Sequence, residues 1–143
     1  MRKIYFLALL PVFLLLWQCS SPPDPRKTVL DFIEAVHNSD TTDIIYYTDL
    51  DKLAEANLST LPTEQRKVFA SAIKRNVFSS LVDSGMTRLF WEECLKIVAG
   101  EKIQGDQAQV DVTFIDRKTG IKHYTKMKLY LKDGRWRIYF FEG

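Results

Sequence analysis

The stretch from Asp106 to Phe141, DQAQVDVTFIDRKTGIKHYTKMKLYLKDGRWRIYFF, holds three runs of alternating apolar and polar residues separated by two turn signals. Those signals are Lys118-Thr119-Gly120 and Asp133-Gly134, the compositions that tight connections between antiparallel strands favour. Successive side chains on a strand point to opposite faces. Ala108, Val110, Val112 and Phe114 therefore share one face, with Gln109, Asp111 and Thr113 opposite. In the next run His123, Thr125, Met127, Leu129 and Leu131 face inward. Lys122, Tyr124, Lys126, Lys128, Tyr130 and Lys132 form a solvated side of lysine stems and tyrosine rings. In the last run Trp136, Ile138 and Phe140 alternate with Arg137, Tyr139 and Phe141, which puts aromatics on both faces. The stretch predicts an antiparallel β-meander with one apolar face to be covered.

Upstream, Phe90, Trp91, Leu95, Ile97 and Val98 are strand formers, and they predict a fourth strand over Glu92–Ala99 that extends past Gly100 to Ile103. Glu92 and Glu93, adjacent on such a strand, would point to opposite faces and so form no catalytic carboxylate couple. Before this strand the period changes. Val29, Phe32, Ile33 and Val36 recur at i, i+3, i+4 and i+7, one face of a helix that Asp24-Pro25 opens. Asp40 to Leu61 predicts one or two short helices carrying the pair Tyr46-Tyr47. Pro62 and Glu64 open a longer helix to Val82, with Phe69, Ile73 and Val77 on its core side and Arg66, Lys67, Lys74 and Arg75 in a solvated stripe. Helices first and sheet last give an α+β class, with N-terminal helices packed on an antiparallel sheet of about four strands.

The N-terminus reads differently. Arg2 and Lys3 precede an apolar run from Ile4 to Trp17, the proportions of a secretory signal and too short to span a bilayer comfortably. Leu14-Leu15-Leu16-Trp17-Gln18-Cys19-Ser20 resembles a bacterial lipobox, although Gln18 stands where a small residue is expected. The expected organisation is a lipoprotein signal over residues 1–18, a tether over 19–23 containing Pro22-Pro23, and one domain over 24–143. Acylation of Cys19 would make membrane lipid a partner and place the domain on the extracytoplasmic side of a bacterial membrane. The alternatives are an export signal cut elsewhere, or an uncleaved anchor. Without Arg2 and Lys3 the twenty basic residues fall to eighteen, equal to the acidic ones, so the domain has no electrostatic claim on nucleic acid. The second cysteine, Cys94, reads as a small buried hydrophobe, and a Cys19–Cys94 disulfide is the lesser alternative.

No catalytic signature is present. Two separated histidines, His37 and His123, and one inner cysteine lack the spacing of a zinc site, and there is no phosphate loop, dinucleotide fingerprint or nucleophile elbow. No catalytic residue, metal or cofactor is expected. The candidate pocket lining is Tyr46, Tyr47, His123 and Trp136, and the candidate interface is Tyr139 with Phe141.

The opening helix Pro25–Val36, the second long helix, the run Ile103-Gln104-Gly105-Asp106-Gln107-Ala108-Gln109-Val110 and the closing Leu129-Tyr130-Leu131-Lys132-Asp133-Gly134-Arg135-Trp136-Arg137-Ile138 resemble the NTF2-like (cystatin-like) superfamily, in particular small bacterial lipoproteins within it. The resemblance implies a curled sheet and helices forming a cone. It also implies a small hydrophobic ligand in that cone, isomerase- or dehydratase-like catalysis, or pairing through the outer sheet face. Catalytic members need an inward Asp with His or Tyr, and no such aspartate is evident here. The expected function is a membrane-tethered, non-catalytic envelope domain that binds a small hydrophobic ligand or a protein partner. A cone-cavity enzyme and a structural homodimer are the alternatives.

Overall fold

The computed structural model describes residues 23–142. The readings on the signal segment and on Cys19 lie outside these residues. Helix α1 spans Pro25–His37, α2 Thr41–Tyr47, α3 Leu50–Asn57, α4 Thr63–Leu81 and α5 Met86–Glu93. Strands β1 (Cys94–Gln104), β2 (Gln107–Asp116), β3 (Lys122–Lys132) and β4 (Arg135–Phe140) follow, and form one antiparallel sheet in the order β1-β2-β3-β4.

Local chemistry accounts for the first elements. Asp24 caps α1 by accepting the Arg26 N–H at 2.8 Å, and Pro25 sits at the first helical position, where its missing N–H costs nothing. The face read from the sequence is buried: Val29, Phe32 and Val36 are fully inaccessible and Ile33 nearly so. They meet the inner face of the meander, where Val110, Val112, Phe114, Met127 and Leu129 are buried. Phe32, Trp91, Phe114 and Phe141 form an aromatic cluster between helices and sheet, with Trp91 stacked on Phe114 at 4.9 Å and edge-on to Phe32 at 5.8 Å.

Several expectations are corrected. The strand predicted from Glu92 starts at Cys94, and Met86–Glu93 is helical. A helix lets Trp91 enter the aromatic cluster while Glu92 pairs with Arg88 one turn back at 3.2 Å. Glu93 reaches Lys118 at 2.9 Å, so the two glutamates lie on a helix end. The long helix α4 buries only Leu81, and Phe69 is 48% exposed. It packs on α3 and α5, because α1 and α5 already cover the inner face of the sheet.

Phe141 is not on the outer face. Leu129 pairs with Ile138 but Lys128 pairs with Phe140, so Tyr139 is an extra residue in β4. A bulge of this kind reverses the alternation beyond it. Phe140 is thereby turned to the lysine side, where Lys128 Nζ sits 4.9 Å from its ring, and Phe141 turns into the core beside Phe32 and Trp91. Phe141 is 7% exposed and cannot serve as an interface residue.

Tyr130, read as solvated, is also buried. Thr48, between α2 and α3, bridges Ile138 in parallel, and the Asp49 N–H donates to Ile138 O at 2.8 Å. The α2–α3 junction therefore lies beside β4. From there Asp49 accepts a short hydrogen bond from the Tyr130 hydroxyl, and Lys52 Nζ lies 3.8 Å from the ring centre.

Candidate functional site

Three elements converge on one concavity. From α1, Lys27 and Asp31 stand one turn apart and pair at 2.6 Å, with Thr28 buried beside them. From α2 come Tyr46 and Tyr47. Asp40 caps this helix by accepting the Thr42 and Asp43 N–H groups at 3.0 and 3.1 Å, and Ile44 anchors it in the core. With Ile44 inward, Tyr47 is half-buried and Tyr46 is turned outward, 47% exposed. From β4 come Arg135 and Trp136, directly after the turn at Asp133-Gly134, where φ is 53° and 76°. Positive φ at both central residues matches the twist of the flanking strands.

Together with Pro23 these residues enclose about 190 Å³, roughly the liquid volume of six water molecules. The two tyrosine rings meet edge-to-face at 5.0 Å, and the Arg135 guanidinium lies 4.5 Å from the Tyr46 ring centre. Trp136 is 2% exposed, and its indole Nε1 has no hydrogen-bond partner among the described residues. The position of α2 against β4 is fixed from below: the Arg137 guanidinium donates to Thr48 O, closely, and to Ile45 O at 3.3 Å.

A second hollow of about 360 Å³ shares Lys27, Asp31 and Tyr47 with the first and adds Glu34, Asn38, Asp40 and Asp43. Beyond the shared residues, Tyr46, Arg135 and Trp136 belong to the first hollow, and the carboxylates of Glu34, Asp40 and Asp43 give the second a field of negative charge. Tyr47 registers that field. Burial pushes its hydroxyl pKa up, and the negative charges of Asp31 and Asp43 push it further. No three His, Cys, Asp or Glu side chains among the described residues converge on a metal-holding position.

Tyr46, Tyr47 and Trp136, the sequence candidates for a pocket, thus line the same hollow. His123 does not join them. It pairs with Phe114 at the start of β3, whereas Trp136 pairs with Leu131 near its end, a separation of about 27 Å along the strand. There His123 is exposed and lies edge-on to Phe90 at 4.9 Å. Tyr139 is half-exposed, donates to Gln107 Oε1 at 3.2 Å and packs on Tyr130. Lys27, Asp31 and Arg135 were not singled out from sequence. The i, i+4 spacing of the first two and the place of Arg135 beside a core tryptophan after a hairpin turn were the available signals. Cys94 is buried; burial, then the charge of Asp116, pushes its thiol pKa up, as suits an unreactive core residue.

Helices followed by a four-stranded antiparallel meander define an α+β protein with the NTF2-like fold. The structural likeness that shows it is to a Campylobacter jejuni protein called an NTF2-like transpeptidase, at a TM-score of 0.50 and 17% identity over 81% of this chain and 97% of that one. Weaker likenesses are to a SEC-C motif-containing protein of Rhodopseudomonas palustris (TM-score 0.41, 19% identity, 77% of this chain and 70% of that one) and to a de novo designed NTF2-fold protein (0.32, 16%, 79% of each). No protein-family model and no curated protein matches the chain.

Proposed function

We propose that this protein is a non-catalytic binding domain, tethered to a bacterial membrane through acylated Cys19, that holds a small, largely apolar ligand between Tyr46, Tyr47 and Trp136. The observation that carries the reading is the hollow itself: two aromatic side chains of α2 and one of β4 converge on it, alongside the polar and charged groups of Thr28, Lys27, Asp31 and Arg135, a mixture that small-molecule sites use for burial and orientation. Its volume suits a ligand of a few heavy atoms. An NTF2-like fold is consistent with small-molecule binding. The bulges at Gly100 and Tyr139 support the finer picture of a curled sheet, because each bends its strand. The aromatic cluster of Phe32, Trp91, Phe114 and Phe141 occupies the middle of the helix–sheet interface, which favours a site at the rim and weighs against chemistry in a central cavity. The lipobox-like run ending at Cys19 supports the tether.

A fragment screen tests the binding reading. The full chain, ¹⁵N-labelled in a nonionic detergent, is titrated with soluble fragments of a few heavy atoms. Hits should cluster on the amide signals of Tyr46 and Tyr47 and on the Trp136 indole signal. Hits scattered over the surface, or none, would remove the pocket from the account.

A second reading, pairing of two copies through the outer sheet face, is favoured by one observation. Leu95, Ile97 and Tyr124 lie there 51%, 48% and 72% exposed, with Ile97 and Tyr124 both opposite Thr113. A dimer in sedimentation that Ile97→Lys dissociates would establish it, and a monomer at high concentration would dismiss it.

A further inference from the structure

We infer that the outer face of the sheet docks on anionic lipid headgroups, with the phosphate of one seated between Lys102 and Lys128. The inference rests on the tether proposed above and adds the surface that meets the membrane and the lipid chemistry it selects. The register puts Lys102, Lys122, Lys126, Lys128 and Lys132 on that face, with a single carboxylate, Asp111, among its strand positions. All five lysines are exposed, and none makes a salt bridge among the described residues. The adjoining carboxylates are Asp106 and Asp133 in the turns and Asp49, which accepts the Tyr130 hydroxyl. Acidic and basic residues balance over the domain, so its remaining surface is net negative. Charge is sorted by face, and an anion complements the lysine face.

A hollow of about 280 Å³ on this face is lined by Lys102, Lys128, Gln104, Gln107, Gln109 and Tyr139, and by no carboxylate. Lys102 and Lys128 flank Gln109 in one row across the sheet. The Tyr139 hydroxyl donates to Gln107 at 3.2 Å and the Gln109 amide to Asp111 at 3.1 Å, so the polar wall is already ordered. The two ammonium groups remain as point charges for phosphate oxygens. The place where the chain enters the domain decides the source of the phosphate. The hollow lies at the end of the sheet that carries the Gly105 and Gly134 turns. The start of the domain lies there too: Arg26 Nε is 3.6 Å from Glu101, and Pro23 shares a hollow with Arg135. The four residues from Cys19 to Pro23 reach about 14 Å at full extension. A chain anchored at Cys19 therefore holds this end of the sheet near the headgroups, where lysines attract anionic lipid. The other basic stripe, on α4, is partly engaged already: Arg66 donates to Leu61 O and Ser59 O, and Lys74 pairs with Asp51.

The test places the full chain, ¹⁵N-labelled, in nanodiscs of phosphatidylcholine alone and of phosphatidylcholine with phosphatidylglycerol, both doped with a lipid bearing a paramagnetic headgroup. In the phosphatidylglycerol discs the amide signals of Lys102, Gln109, Lys128 and Lys132 should broaden most. Those of Lys118, Thr119 and Gly120 should stay sharp, because they lie beyond the other end of β3, about 33 Å from Lys132. The selectivity should vanish in phosphatidylcholine alone and at high salt. Lys102→Gln with Lys128→Gln should bring the broadening in phosphatidylglycerol discs down to the phosphatidylcholine level. Lys67→Gln with Arg75→Gln on α4 should leave it unchanged; all four positions are exposed, and melting curves check the folds. A chain that enters both discs and broadens equally in both would overturn the docking and leave the tether standing. One copy per disc would then leave an acidic protein as the partner of the face, and two copies the chain itself. Shifts at Lys102 and Lys128 with inorganic phosphate in detergent, without selective broadening in the discs, would overturn the docking in favour of a soluble anion. A chain that enters neither disc would overturn docking and tether together.

Discussion

Changing Tyr130 to Phe tests how the α2–α3 junction is held against the sheet. The Tyr130 hydroxyl donates to the Asp49 carboxylate, which also accepts the Lys52 N–H at 3.1 Å and so caps α3. Hydrogen bonds to a charged acceptor contribute about 1.5–3 kcal/mol. Asp49 is half-exposed and keeps its other partners in the variant, so solvent screening brings the loss to the bottom of that range or just under it, about 1–2 kcal/mol. The pH dependence gives a second signature. Burial by itself would raise the Asp49 pKa, but the hydrogen bonds from Tyr130 and Lys52 and the charge of Arg137 outweigh it and hold the pKa below 3.8. A carboxyl depressed on folding contributes stability above its unfolded pKa, and that contribution is lost as pH falls through the folded value. Tyr130 has the opposite sign. Burial, then the Asp49 hydrogen bond, push its hydroxyl up from 10.0 to about 12. Its contribution is therefore complete below pH 10 and disappears as pH rises through about 12. Urea denaturation of the wild type and Tyr130→Phe from pH 3 to 11 measures the difference between them. It should be about 1–2 kcal/mol at pH 7, begin to shrink only as pH falls below 3.8, and shrink again above pH 10. A loss under 0.5 kcal/mol at every pH would refute the clamp.

Three further outcomes are expected. Trp136→Ala should destabilise the fold by about 3–5 kcal/mol through the cavity it leaves, read by denaturant titration; an unchanged midpoint would contradict its inward register. Cys94 should resist N-ethylmaleimide in the native chain and react on unfolding, since it is fully buried and its thiol pKa is pushed up; rapid native labelling, located by peptide mass, would disprove its core placement. Intact mass of the chain purified from its own membranes should give a diacyl- or triacylglyceryl product beginning at Cys19 and lost in Cys19→Ser. An unlipidated chain cut elsewhere would end the tether proposal.

Strand periodicity made most of the sheet legible, because β2 from Ala108 to Phe114, β3 from Thr125 to Leu129 and β4 from Trp136 to Ile138 bury every second residue. The helix face Val29–Val36 was legible for the same reason at the helical period. Met86–Glu93 was not: Phe90 and Trp91 favour strands intrinsically, and only their packing against Phe32 and Phe114 makes a helix the better solution. The destination of Phe141 was hidden by the bulge at Tyr139, a one-residue register change that alternation alone cannot report. Of the pocket, the aromatic members were readable as unusual residues near a core. Lys27, Asp31 and Arg135 joined them only through the approach of α1 and α2 to β4, which no local pattern encodes.

The most direct test of the pocket is a crystal structure of the protein soaked with the fragment that most strongly shifts the Tyr46, Tyr47 and Trp136 signals. Density for the fragment between Tyr46, Tyr47 and Trp136 is the predicted result. An empty hollow at saturating fragment, or the fragment seated in the centre of the sheet, would contradict it.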